Sequence, residues 1–163
     1  KAGQILPVNH TPYLFVEFPS NHVPRYTEKL FYDLQMNGLI PVIVHPERNQ
    51  EIMEHPELLY QLVKKGAMTQ VTAASISGDF GKKIRNFSLQ LIEANLTHFI
   101  ASDAHNTTKR AFKMREAFGV IEKKYGNELV YYFDENAALL IDGKHVYKED
   151  PERIKRKRIF NLF

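Results

Sequence analysis

The sequence predicts an α/β fold of parallel strands joined by crossover helices, and three observations carry that expectation. Four short β-branched or aromatic runs, at residues 13–18, 39–44, 67–72 and 97–102, each lead into polar or turn-forming residues. Helical apolar spacing fills the stretches between them, so strand and helix alternate with a period of about 28 residues. The second run, Leu-Ile-Pro-Val-Ile-Val, is apolar almost throughout, which suits a strand buried on both faces.

The elements follow in order. After the first run, Leu30, Phe31, Leu34 and Leu39 recur at helical spacing; Leu58, Leu59, Leu62 and Val63 do so after the second. Phe87, Leu91 and Ile92 mark the third helix. A fourth is expected over about 108–124 with Phe112, Ala117, Phe118 and Ile121 as its stripe. Gly38, Gly66 and Gly126 fall just past expected helix ends, where a left-handed residue is needed. Residues 127–141 read as one or two short helices, and 145–158 as a polar exit. No internal repeat is present, which excludes a solenoid. Four strands are too few to close a barrel, since eight units need about 250 residues. The chain is therefore either a small open sheet or the later half of a larger barrel. Its Lys-Ala-Gly-Gln opening, without Met, favours the second and leads us to expect a fragment. We divide it into one barrel-type domain portion, 1–150, and a basic segment, 151–163.

Composition narrows the function. With 163 residues, 44% hydrophobic and 12% aromatic, the chain can bury a real core. The absence of cysteine excludes a disulfide scaffold, a thiolate zinc site and a thiol nucleophile. No apolar run approaches the roughly 18 residues of a membrane span, and no signal-peptide pattern is seen, so a cytoplasmic chain is expected. The net charge of +3 is local, because Arg153, Lys155, Arg156, Lys157 and Arg158 crowd into the last twelve residues. The remaining body is slightly acidic, which argues against nucleic acid as a partner.

Ligands bind at the carboxyl ends of parallel strands, and here those ends carry unusual residues. After the second strand comes His45-Pro46-Glu47-Arg48, and after the fourth Ser102-Asp103-Ala104-His105. Asp103 and His105 are two apart, so an extended backbone would point both the same way. With His45 they offer one carboxylate and two imidazoles, a thiol-free set suited to Mn, Fe or Zn. Arg48 and Arg110 follow the two clusters, and a guanidinium beside a divalent ion suits a phosphate. Plainer readings stand beside these. A histidine at a strand end is often structural, Asp103 or Thr107 or Thr108 could cap a helix, and Arg48 could pair with Glu51 or Glu47. The loop 19–25, with His22 and Arg25, is a weaker candidate for a substrate rim than for a rigid turn. His10, His55, His98 and His145 lack a constellation and read as surface or packing residues. Gly78–Lys83 lacks the spacing of a phosphate loop, and no serine-hydrolase elbow is present.

At VIVHPERN and FIASDAHN the chain resembles the polymerase-and-histidinol-phosphatase (PHP) superfamily. Over the longer stretches around them it is similar to the manganese-dependent bacterial tyrosine phosphatases of the YwqE/CpsB type. That resemblance implies the C-terminal part of a distorted (β/α)7 barrel holding two or three Mn2+ ions, with other divalent metals possible. It implies metal ligation by His45, Asp103 and His105, and phosphate binding by Arg48 and Arg110. It further implies removal of phosphate from tyrosines on the tail of a bacterial tyrosine kinase that controls capsule or exopolysaccharide synthesis, in the cytoplasm near the inner face of the membrane. The family's N-terminal HxH motif, its further His and Asp ligands and its bridging Glu have no counterpart here, so these residues alone are expected to be inactive. Two alternatives are a PHP phosphoesterase of small phosphorylated metabolites and a non-catalytic half-barrel, able to pair with a second copy. The basic segment could touch acidic partners or anionic lipid, though a solvated, disordered tail is the plainer reading.

Overall fold

The structure, a computed structural model, describes residues 7–106 and 112–155. A 3-10 turn at Val8–His10 leads into β1, Tyr13–Val16. Then come α1 (Thr27–Met36), β2 (Ile40–Val44), a 3-10 turn at Pro46–Arg48 and α2 (Gln50–Glu54). The chain continues through α3 (Glu57–Lys64), β3 (Met68–Thr72), α4 (Ala73–Ser77) and α5 (Lys82–Glu93). It closes with β4 (Phe99–Ala101), α6 (Met114–Tyr125) and α7 (Asn127–Ile141). The strands form one parallel sheet in the order β1-β2-β3-β4, with Val16 opposite Ile43, Val44 opposite Gln70 and Thr72 opposite Ala101. The α/β expectation holds; each strand is shorter than the apolar run that announced it.

Local chemistry explains the elements. In α3, Pro56 precedes the first turn with helical φ, Glu57 faces the positive N-terminus and Lys64 the C-terminus. Leu59, Leu62 and Val63 make its buried stripe. Gly66 then takes φ 102, and a Cβ there would lie 2.9 Å from Gln35 Oε1. Gly38 and Gly126 are left-handed as expected, at φ 76 and 91. The fourth helix begins later than its stripe suggested: α6 starts at Met114, Ala117 and Ile121 face the core, and Phe112 is 72% exposed. Phe112 lies before the helix and so does not belong to its buried face. Residues 127–141 form one continuous helix.

Both faces of the sheet are covered, as the apolar second strand required. On one face Leu14, Ile43, Val71 and Ile100 pack against the helices in the larger core. On the other, Tyr13, Val42, Met68 and Phe99 pack under Leu140 and Val146. Tyr13 meets Phe99 edge-on with ring centroids 6.4 Å apart. Its hydroxyl donates to Lys144 O at 2.7 Å and accepts from Val146 N at 3.2 Å. The segment after α7 is therefore more than a polar exit. It also reaches α3: Arg153 pairs with Glu57 at 3.0 Å and lies 4.5 Å from the Tyr60 ring centre. Residues 152 and 153 thus lie against the body, contrary to the expectation of a solvated tail from 151 onward; residues 156–163 fall outside the described residues.

Asn136 ties α7 to this segment. Wholly buried, it donates to His98 O at 3.2 Å and Tyr147 O at 3.1 Å, and accepts from Tyr147 N at 2.9 Å. Asn136→Ala would remove the donor to His98 O and the acceptor for Tyr147 N, while Tyr147 O keeps the Tyr132 hydroxyl at 3.0 Å, so urea denaturation is expected to show a loss of about 2 kcal/mol. A loss under about 0.5 kcal/mol would mean that the segment is not held through this side chain.

Candidate active site

Because the four strands are parallel, their carboxyl ends share one edge of the sheet. Glu17 follows β1, His45 follows β2, and Asp103 and His105 follow β4. His45 Nε2 lies 3.3 Å from Glu17 Oε1. Arg48 Nη2 lies 2.9 Å from Asp103 Oδ2, so the partner of Arg48 is Asp103, and neither Glu47 nor Glu51. The Arg48 guanidinium also stands 5.5 Å from the Phe80 ring centre. His105 Nδ1 is 2.8 Å from the Asp103 carbonyl oxygen and 3.9 Å from its carboxylate.

His45 and Asp103 both adopt left-handed backbone, with φ 37 and 47. That region disfavours any residue with a Cβ and clusters at functional sites. It also corrects one inference from spacing. The backbone at Asp103 is turned and not extended, since β4 ends at Ala101, so strand alternation does not orient Asp103 and His105. Burial holds His45 below the usual imidazole range; Arg48 adds to the shift, while Glu17 and Asp103 oppose it.

A cleft of about 260 Å³ opens beside these residues, lined by Glu17, Phe18, Ser20, His45, Arg48 and Asn49. Its wall is stiff. Asn49 caps α2 by accepting from Ile52 N at 2.9 Å. Its amide donates to Pro19 O at 2.8 Å and His22 O at 3.0 Å, while Glu51 accepts from Val23 N at 2.7 Å. The loop 19–25 is thus held as a rigid turn. His22 is exposed beside Asn21, and Arg25 is exposed as well, while Ser20 borders the cleft.

The predicted residues are partly assembled. His45, Arg48 and Asp103 stand together, with His105 adjoining Asp103. Arg110, with Thr107 and Thr108, lies outside the described residues. Among the described residues no three His, Asp or Glu side chains gather closely enough to enclose an ion. The donors nonetheless fit a divalent metal in kind, being imidazole and carboxylate with no thiolate. Glu17 was missed from sequence, although it is the first acidic residue after β1, as His45 is the first imidazole after β2. Elsewhere, His98 is buried while His10, His55 and His145 are exposed, in line with packing and surface roles. No helix among the described residues is long and apolar enough to cross a membrane.

Residues 1–142 match the family model described as capsular polysaccharide synthesis, CpsB/CapC. The chain belongs to the CpsB/CapC family. It is 54% identical over 160 residues to the tyrosine-protein phosphatase YwqE of Bacillus subtilis (strain 168), a match covering 98% of this chain and 63% of that protein. To CapC of Staphylococcus aureus it is 44% identical over 164 residues, covering 99% of this chain and 64% of the other. Among solved structures it matches a chain from the crystal structures of YwqE from Bacillus subtilis and CpsB from Streptococcus pneumoniae, described as unique metal-dependent tyrosine phosphatases. There the TM-score is 0.91 at 55% identity, over 93% of this chain and 61% of that one. This CpsB/CapC chain therefore spans somewhat under two thirds of the length of these relatives.

Proposed function

We propose that this chain supplies the phosphate-binding side and part of the metal-ligand set of a metal-dependent protein-tyrosine phosphatase. The observation that carries the reading is the strand-end edge, where His45 adjoins Glu17 while Arg48 adjoins Asp103. The names of the relatives support phosphotyrosine in preference to a small phosphorylated metabolite, and enzyme in preference to binding module.

In this reading the four strands belong to a PHP-type barrel. His45, Asp103 and His105 hold metal, joined by Glu17, with Mn2+ as the ion proposed. When bound, such ions supply Lewis-acid charge and ease deprotonation of water at neutral pH. The chain's own residues do the rest. Arg48 presents a planar fork of donors to the non-bridging phosphate oxygens. Asp103 holds that fork in place from one side and Phe80 from the other. Asn49 holds the loop 19–25 in place along one wall of the cleft. Arg110 is proposed as a second phosphate-binding cation. A phenolate leaves readily, so positioning and charge neutralisation can carry the reaction without a strong general acid. The proposed substrate is the phosphotyrosine tail of a bacterial tyrosine kinase of capsule or exopolysaccharide synthesis, met in the cytoplasm near the membrane.

Three or four ligands form a minority of a two- or three-ion site. The 163 residues by themselves are thus expected to release phosphate from a phosphotyrosyl peptide at under about 1% of the rate of the same sequence extended to its relatives' length. Equal rates would show that this chain carries a complete site, and the ligand assignment would be wrong.

A further inference from the structure

Between the metal-ligand candidate His45 and the phosphate-binding candidate Arg48 lies Glu47, a carboxylate with 0% exposure. Charged side chains are rarely buried without a partner, because removing them from water is costly. Among the described residues Glu47 has no lysine or arginine salt bridge. Its Oε1 instead accepts from Thr72 N at 3.0 Å and from Ser75 Oγ at 2.6 Å. Its Oε2 is buried with no hydrogen-bond partner among the described residues. Burial pushes its pKa up, against the pull of Ser75 and Thr72.

The two bonds reach from the 3-10 turn after β2 to the end of β3 and the first turn of α4. Beneath them the backbone is strained: His45 enters the turn at φ 37, a conformation that surrounding structure must enforce. Arg48 leaves the turn three residues later and points to Asp103, on the loop after β4. A buried anchor in the middle of that turn fixes both of its ends.

Resting on the phosphatase reading above, we infer that Glu47 is a positioning residue, whose clamp on Thr72 and Ser75 sets His45 and Arg48 for metal and phosphate. It touches neither ligand. An acid whose only duty was to join β2 to β3 would contribute to stability alone, and an apolar residue would fill that position at lower desolvation cost.

The test uses the protein extended to its relatives' length, with Glu47→Ala, Glu47→Gln and Ser75→Ala. Glu47→Gln keeps the acceptor for Thr72 and Ser75; Glu47→Ala removes it. The expected result is a fall in kcat/KM on a phosphotyrosyl peptide of about a hundredfold for Glu47→Ala and about tenfold for Ser75→Ala. Glu47→Gln should stay within about fivefold of the parent. The NMR signal of the Arg48 Nε–H, ordered by Asp103 in the parent, should broaden in step with these losses. A lowered melting temperature with unchanged kcat/KM and an unchanged Arg48 signal would overturn the inference and leave a structural acid. If Glu47→Ala does not fold, Ser75→Ala decides alone by the same two readouts. A parent without activity toward phosphotyrosine would instead overturn the functional reading, and the Arg48 signal would still decide the role of Glu47.

Discussion

Replacing Asp103 with Asn, in the protein extended to its relatives' length, is expected to lower kcat/KM on a phosphotyrosyl peptide about a thousandfold or more. Two losses combine. The substitution neutralises a proposed anionic metal ligand, and it removes the charge from the 2.9 Å bond that aims Arg48. Asn is nearly isosteric and tolerates left-handed backbone, so φ 47 at this position adds no new strain. The fold should therefore survive, which circular dichroism would confirm. Asp134→Asn, on the exposed face of α7, serves as the control and should change kcat/KM by less than twofold. Activity within tenfold of the parent for Asp103→Asn would remove Asp103 from the site.

The largest expected effect of pH on stability comes from His98. It is 2% exposed, and its Nδ1 accepts from Thr69 N at 3.2 Å, which requires the neutral ring. Burial lowers its pKa to about 3, with Lys148 adding to the shift. The unfolded chain binds a proton near pH 6.5 and the folded chain does not. Stability from this group is therefore complete above pH 6.5 and is lost as pH falls toward 3. The loss at pH 5 is about 2 kcal/mol. His98→Asn keeps an acceptor near Nδ1 but cannot titrate. Urea midpoints at pH 7.5 and 5 should therefore fall less in the variant than in the parent. Equal falls would assign the acid sensitivity to carboxylates elsewhere.

Short β-branched or aromatic runs and a 3.6-residue apolar spacing made the sheet and its covering helices legible, because Val42, Ile43, Leu59 and Leu62 owe their places to burial alone. The site was less so. His45, Asp103 and Arg48 could be picked out because imidazole, carboxylate and guanidinium at strand ends serve no packing purpose. That Arg48 pairs with Asp103, 55 positions away, is a tertiary fact, and the nearer Glu51 and Glu47 were the plausible partners by spacing. Glu47 was unreadable for a related reason: within His-Pro-Glu-Arg a glutamate looks solvated, and its burial arises only when Thr72 and Ser75 arrive from β3 and α4. Phe112 misled in the opposite sense, since an aromatic ahead of a helical stripe looks buried until the helix starts two residues later. The segment 144–155 misled through its charge. Its anchors, Tyr13, Asn136 and Glu57, lie far away in sequence or on another helix face.

Metal dependence is the claim on which the rest stands. The most direct measurement is phosphate release from a phosphotyrosyl peptide by the protein at its relatives' full length, with metal per chain measured in parallel, before chelation, after chelation and after Mn2+ is restored. Two or three ions per chain are expected at the start, with a loss of at least about a thousandfold on stripping and recovery on return. In Asp103→Asn both the metal count and the recovered rate should fall. Full turnover by protein stripped of metal would contradict metal dependence, and the strand-end edge would then need another chemistry.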